Sequence, residues 1–328
     1  MIFDAIVIGA GAAGMMAASV AGQRGKRVVL LEHSAALATK IRISGGGRCN
    51  FTNWHTKPEN FISNNPNFCR SALSRYTPKD FVALLDAHGI AWHEKHRGQL
   101  FCDQSAEQII DLLREECARG QVAWRMPCLV QSVQHAAGQF CLETDAGPLR
   151  SNKLVVATGG LSIPKIGATD FGLRLARQFG HKIIETRPGL VPLTFDAAAW
   201  QALVPLAGLA LPVEIHTGQG KQEQRFSEDL LFTHRGLSGP AVLQISSYWQ
   251  SGTALRINLL PQTAGATQLL AQKNSSRSQL NTALEALLPK RLADVWLRGQ
   301  SEWLTAATRK ISEAPDRLLR GLGQALND

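Results

Sequence analysis

The chain has 328 residues, 45% hydrophobic and 19% charged, with 29 Gly and 14 Pro, which is the composition of a globular protein and excludes a disordered or fibrous one. No apolar run approaches the ~20 residues of a membrane helix, and Met1-Ile2-Phe3-Asp4 puts no cationic segment before the first apolar run, so neither a span nor a signal peptide is read and a cytoplasmic location is expected. The formal net charge of +9 favours anionic ligands such as phosphates, but the basic residues are dispersed and no RNA-stacking aromatic motif appears, which argues against nucleic acid as a partner.

Phe3–Ile8 is a continuous apolar, β-branched run without alternation, which predicts a strand buried on both faces of a parallel sheet. It leads into Gly9-Ala10-Gly11-Ala12-Ala13-Gly14, a helix-forming stretch to Gln23, a helix stop at Gly25, and a second buried strand over Arg27–Leu31 that closes at Glu32. Strand, turn, helix and strand make one βαβ unit. Residues 33–60 read as a loop rich in Gly, Ser and Asn. Helices are predicted over Pro78–His88 and Ser105–Arg119, the second opening on the capping-box pattern Ser105-x-x-Gln108, and His93-Glu94-Lys95-His96 between them reads as a polar surface turn. Four short strands, Val122–Met126, Cys128–Gln134, Gln139–Glu143 and Lys153–Ala157, predict a meander, and a helix runs from Thr169/Asp170 to Phe179. The character changes near Pro188, with strands at Leu211–Thr217 and Ala254–Leu260 and helical stretches from Gln268 onward, so two domains are expected, 1–188 and 189–328.

Four constellations carry chemistry. In the first, Gly9 permits a tight turn, Gly11 lets a pyrophosphate reach the backbone, Gly14 lets helix and strand close up, and the helix N-terminus offers free N–H groups. Glu32 is placed to accept bonds from ribose hydroxyls; its charge repels a 2′-phosphate, which disfavours NADP and leaves FAD and NAD open. In the second, Ser44-Gly45-Gly46-Gly47-Arg48-Cys49-Asn50, three consecutive glycines imply a close approach to the backbone. Arg48 there can bind a phosphate or stabilise a reduced, anionic ring. Cys49 reads as a packed small residue, and the six scattered cysteines include no C-x-x-C pair, which argues against a metal site and a disulfide framework. Leu154–Gly160, a buried strand ending in a small-residue turn, should lie beside the first glycine loop. In the fourth, Leu231–Pro240, His234 and Arg235 flank a glycine turn and could face a substrate carbonyl or a flavin ring, while Ser238 lacks nucleophile-elbow spacing.

In this order, Ile6–Gly14, Ser44-Gly45-Gly46-Gly47-Arg48-Cys49-Asn50-Phe51-Thr52-Asn53, Val156-Ala157-Thr158-Gly159-Gly160 and Leu231–Pro240 resemble the BaiN/YhiN-like flavoproteins, NAD(P)/FAD-dependent oxidoreductases. The resemblance runs from Met1 to about Arg291. It implies an α/β fold, a Rossmann-like FAD-binding domain (parallel sheet plus β-meander) with an inserted β-rich and helical second domain. It also implies FAD as cofactor, with the pyrophosphate at Gly11, Ala12, Ala13 and Gly14, the ribose at Glu32, the adenine at the backbone of Val130, Thr158 and Gly159 near the pyrophosphate, and the flavin near Gly46, Gly47 and Arg48. The expected activity is flavin-mediated hydride transfer to or from a small-molecule substrate, with Arg48 and His234 as the candidate catalytic residues and NAD(P)H an open choice of electron donor. A G-E-x-x-D-x-x-G-x-x-G-G-Y-N-like string that the family carries near its C-terminus is absent here, so a truncated, cofactor-poor or inactive remnant is the alternative expectation. An RNA-associated flavoprotein, favoured only by net charge, is the second alternative.

Overall fold

The apolar N-terminal run is strand β1 (Ile2–Ile8), and the two cores around it explain why it lacks alternation. Ile6 and Ile8 pack with Val29, Leu31, Val133 and Leu142 on one face, and Val7 packs with Met15, Leu30, Ile109 and Leu113 on the other. The computed structural model describes residues 1–220 and 223–328, in two compact units, Met1–Glu185 and Thr186–Asp328.

In the first unit the chain continues through α1 (Ala12–Gln23), β2 (Val28–Leu31), α2 (Thr39–Ile43), β3 (Asn50–Asn53), α3 (Arg70–Arg75), α4 (Pro78–Ala87), β4 (Trp92–Glu94), β5 (Gln99–Cys102), α5 (Glu107–Arg119), β6 (Ala123–Arg125), β7 (Val130–Ala136), β8 (Gln139–Thr144), β9 (Leu149–Val156) and α6 (Phe171–Gln178). The main sheet has the order β6-β2-β1-β9-β8-β7. β2, β6 and β9 join the β1 side of the sheet in parallel, and β7–β8–β9 run antiparallel. This is a Rossmann-like α/β fold with a meander appended. β6 departs from the expected four-stranded meander: it pairs with β2 after the α5 crossover, the side to which a right-handed βαβ connection delivers a strand. Its three residues are too few for periodicity to separate the two cases.

The stretch 33–60 is also more ordered than its composition implies, since it contains α2 and β3. The capping box at Ser105 does not form. Ser105 Oγ accepts from the N–H of Glu107 at 3.1 Å, and the buried Gln108 Oε1 has no partner. His93 and Glu94 belong to a strand, not a turn, in the small antiparallel sheet β3-β5-β4.

The second unit contains, among the described residues, β10 (Leu193–Thr194), α7 (Ala197–Trp200), β11 (Ala210–Thr217), β12 (Gln224–Thr233), β13 (Gly236–Ser238), α8 (Pro240–Ser246), β14 (Leu255–Asn258), and helices α9 (Gly265–Ser275), α10 (Leu280–Glu285), α11 (Lys290–Arg298), α12 (Ser301–Ala306) and α13 (Asp316–Asn327). Its sheet runs β10-β13-β12-β11-β14. Val213, Ile215, Leu230 and Phe232 share one core with Ile245, Leu269, Leu284, Leu292 and Leu319 of the helices. No helix among the described residues is long and apolar enough to cross a membrane.

Candidate functional site

The C-terminal ends of β1, β2 and β9 open onto a cavity of about 750 Å³, in the upper part of the range typical of small-molecule and cofactor sites. It is lined by Gly9, Gly11, Ala12, Ala13, Glu32, Val130, Thr158 and Gly159. Eight of the residues singled out from the sequence therefore converge on one concavity, the place where a doubly wound sheet binds its ligand.

Each glycine of the first turn does something different. Gly9 has φ +101°, and a Cβ on it would lie 2.5 Å from the carbonyl oxygen of Ala157 at the end of β9. A Cβ on Gly14 would lie 1.8 Å from the Gly9 oxygen, so α1 approaches the turn only because that position is bare. Gly14 does its work in packing and does not line the cavity. Gly11, the N-cap of α1, meets nothing within 4 Å. The protein does not need a glycine there, whereas a ligand lying on the backbone would.

The electrostatics of this end favour an anion. α1 starts with no side-chain cap and no acidic residue in its first turn, so the N–H groups of Ala12, Ala13 and Gly14 have no intrahelical acceptor. Lys40 lines the same cavity with its Nζ donating to Ser162 Oγ at 2.8 Å, and Arg174 lines it while bonded to Asp170 at 2.9 Å. Sequence reasoning missed both cations. They sit on short helices whose approach to the glycine turn depends on tertiary folding.

Glu32, 9% exposed, is committed to the protein before any ligand arrives. Its Oε2 accepts from the Ala10 N–H at 2.8 Å, and its Oε1 from the Ser34 N–H at 2.9 Å with His33 Nδ1 at the same distance. The carboxylate thus fixes the glycine turn as well as lining the cavity. A carboxylate has about four acceptor sites, so room remains for a ribose hydroxyl. Uncapped N–H groups, a bare Gly11, two cations and this carboxylate together suit the ADP half of a dinucleotide.

Gly46, Gly47 and Arg48 are not among the residues lining the cavity. Their turn is tied instead to the small sheet. The Gly47 carbonyl accepts from Ala106 N–H at 2.7 Å and the Arg48 carbonyl from Cys102 N–H at 2.9 Å, with the Arg48 side chain exposed. All three glycines have positive φ, +58°, +67° and +86°. Gly45 is closed in by Phe101, while Gly46 and Gly47 have open space above them. Burial pushes the Cys49 thiol above its ordinary range; the thiol of Cys102 is pushed up to about 12 by burial, then by Cys49 and Asp103. Neither is a ready thiolate at neutral pH.

His234 and Arg235 lie in the second unit, exposed on the β12–β13 turn. Gly236 is required there by packing, since a Cβ would lie 2.1 Å from the Leu193 oxygen.

A family model described as the HI0933-like protein Rossmann domain matches residues 3–285. The chain is 51% identical over 293 residues to the ribosomal RNA dihydrouridine synthase of Escherichia coli, covering 89% of this chain and 72% of that protein. It is 43% identical over 297 residues to the protein of the same name from Haemophilus influenzae, covering 89% and 73%. The 3-dehydro-bile acid delta(4,6)-reductase of Clostridium scindens is 26% identical over 269 residues, covering 78% and 64%. The first two names correct the expectation that nucleic acid is not a partner.

Proposed function

The chain belongs to the HI0933-like Rossmann-domain family, and on that premise we propose that it is an FAD-dependent reductase whose target is a uridine in ribosomal RNA. The observation that carries this reading is the 51% identity with the Escherichia coli ribosomal RNA dihydrouridine synthase. Converting uridine to dihydrouridine adds two hydrogens across a C=C bond conjugated to a carbonyl, and the name of the Clostridium scindens relative describes a reduction of the same class.

When bound, FAD supplies a hydride from its reduced ring. The chain's own residues bind and orient. The N–H groups of Ala12 and Ala13 over the bare Gly11 take the pyrophosphate, Glu32 takes a ribose hydroxyl, and Val130 supplies backbone to the adenine, with Thr158 and Gly159 alongside. Lys40 and Arg174 add positive charge to the same cavity. The open backbone at Gly46 and Gly47 and the exposed Arg48 are assigned to the flavin end, where the guanidinium would supply positive charge to the ring. His234 is kept as the second unit's candidate proton donor, and NAD(P)H is proposed as the source of electrons. A cytoplasmic location follows from a ribosomal RNA target.

The test is to incubate the purified protein with FAD, a reductant and unmodified ribosomal RNA, then to analyse nuclease fragments of the RNA by mass spectrometry. The expected result is a uridine heavier by two hydrogens at a defined position. Unchanged RNA, with FAD bound, would contradict the RNA target.

A further inference from the structure

We propose that the face of the small sheet carrying His93, Lys95 and Phe101 docks a single-stranded segment of RNA, with a base stacked on His93. The inference rests on the RNA reading above and adds the place where RNA is held.

The register of β3-β5-β4 sets Asn50, Phe101 and His93 in one row across the three strands. The His93 ring stacks on Phe101, with planes 18° apart and centroids 6.1 Å apart. Its Nδ1 lies 2.7 Å from Asp103 Oδ1, yet 40% of its side chain is exposed. A flat ring set beside an aromatic in the same row and held at its edge by a carboxylate loses little rotamer freedom when a base covers it, which is what a stacking platform requires. Lys95 Nζ stands over the same Phe101 ring, 5.5 Å from its centroid, where it can meet a phosphate.

Arg48 and Arg97 are exposed nearby on the chain segments tied to this sheet. Two acids also lie here and both are engaged: Asp103 holds His93, and Glu94 accepts from the Gly98 N–H at 3.0 Å. A buried structural histidine would not leave this much ring in solvent beside a lysine.

Placement ties the face to the cofactor cavity. α2 lines that cavity through Thr39, Lys40 and Ile41. The Ser44–Gly47 turn follows α2 directly and presses Gly45 against Phe101, where a Cβ would lie 2.8 Å from the ring. A base stacked on His93 therefore lies on the same small sheet as Phe101, the ring that Gly45 packs against just before Gly46 and Gly47.

The experiment measures fluorescence anisotropy of a labelled oligouridine RNA with the FAD-loaded full chain, over a range of salt. His93→Ala is expected to weaken binding by about tenfold or more, and His93→Phe, which keeps a flat ring, to stay within about threefold of the parent. Lys95→Ala should lower the slope of log affinity against log salt by about 0.7, the loss of one phosphate contact. Melting temperature and FAD binding of each variant report whether the fold is kept; Lys95 is exposed, so its replacement leaves the fold intact. Salt-dependent binding by the parent, with His93→Ala and Lys95→Ala binding equally well, would overturn this docking site alone. No binding by the parent at low salt would overturn the RNA reading and the docking site together.

Discussion

Gly9 and Gly14, in the turn after β1, meet the chain's own backbone, whereas Gly46 and Gly47, in the turn before β3, meet nothing within 4 Å. In the first turn glycine is demanded by packing at two positions, and only Gly11 is bare without a structural reason. In the second turn it is demanded by conformation, because Gly45, Gly46 and Gly47 are all left-handed. The same letter in the sequence thus encodes helix–strand closure, ligand room and a backbone bend. Place in the motif already separates Gly11 from Gly14, and geometry adds the left-handed bend at Gly45, Gly46 and Gly47.

Replacing Gly14 by Val should have the largest effect. Its side chain would drive α1 off the turn, at a cost of about 3 kcal/mol or more. Thermal unfolding measures this, and an unchanged melting temperature would mean the 1.8 Å approach to Gly9 is not a real constraint.

Next comes Glu32→Ala, which strands the N–H groups of Ala10 and Ser34 and removes the acceptor proposed for the ribose. It should cost about 1.5–3 kcal/mol in FAD binding and also lower stability in the absence of FAD. Isothermal titration together with urea unfolding separates the two losses. A loss in titration alone would show that the carboxylate serves the ligand and not the turn.

Gly46→Ala should cost about 1–2 kcal/mol, the penalty of a left-handed residue with no clash added. If urea unfolding gave a loss as large as that of Gly14→Val, the contrast between the two turns would collapse.

The smallest effect concerns α2, which Arg42 ties to α5 through hydrogen bonds to Glu107. Arg42 holds the Glu107 carboxyl below its usual range, mainly by hydrogen bonding. A depressed carboxyl stabilises the fold above its unfolded pKa, and that contribution is lost as pH falls through the folded value. The pair is roughly half exposed, so the loss as pH falls below the ordinary carboxylate range should stay below ~1 kcal/mol. Arg42→Gln should flatten that acid limb of the stability profile.

Much of the cavity was legible in the sequence because its parts are local. Strand, glycine turn and helix lie within β1 and α1, and Glu32 closes the next strand. What the sequence hid was long-range. Lys40 and Arg174 reach the cavity from segments with no motif of their own, and β6 is told from a meander strand only by its partner. The row formed by His93 and Phe101 exists only once β4 and β5 pair, which is why the residues around His93 looked like a surface turn.

The most direct test of the account is a titration of FAD against the parent chain and the Gly11→Val variant, followed by flavin fluorescence, with circular dichroism on the same samples. A Cβ at Gly11 meets open space, so the variant should fold as the parent does. The account predicts saturable binding of one FAD per chain by the parent and none by the folded variant, because the valine occupies the pyrophosphate's path. Equal affinity in the two proteins would contradict it, and would place any FAD away from the N-terminus of α1.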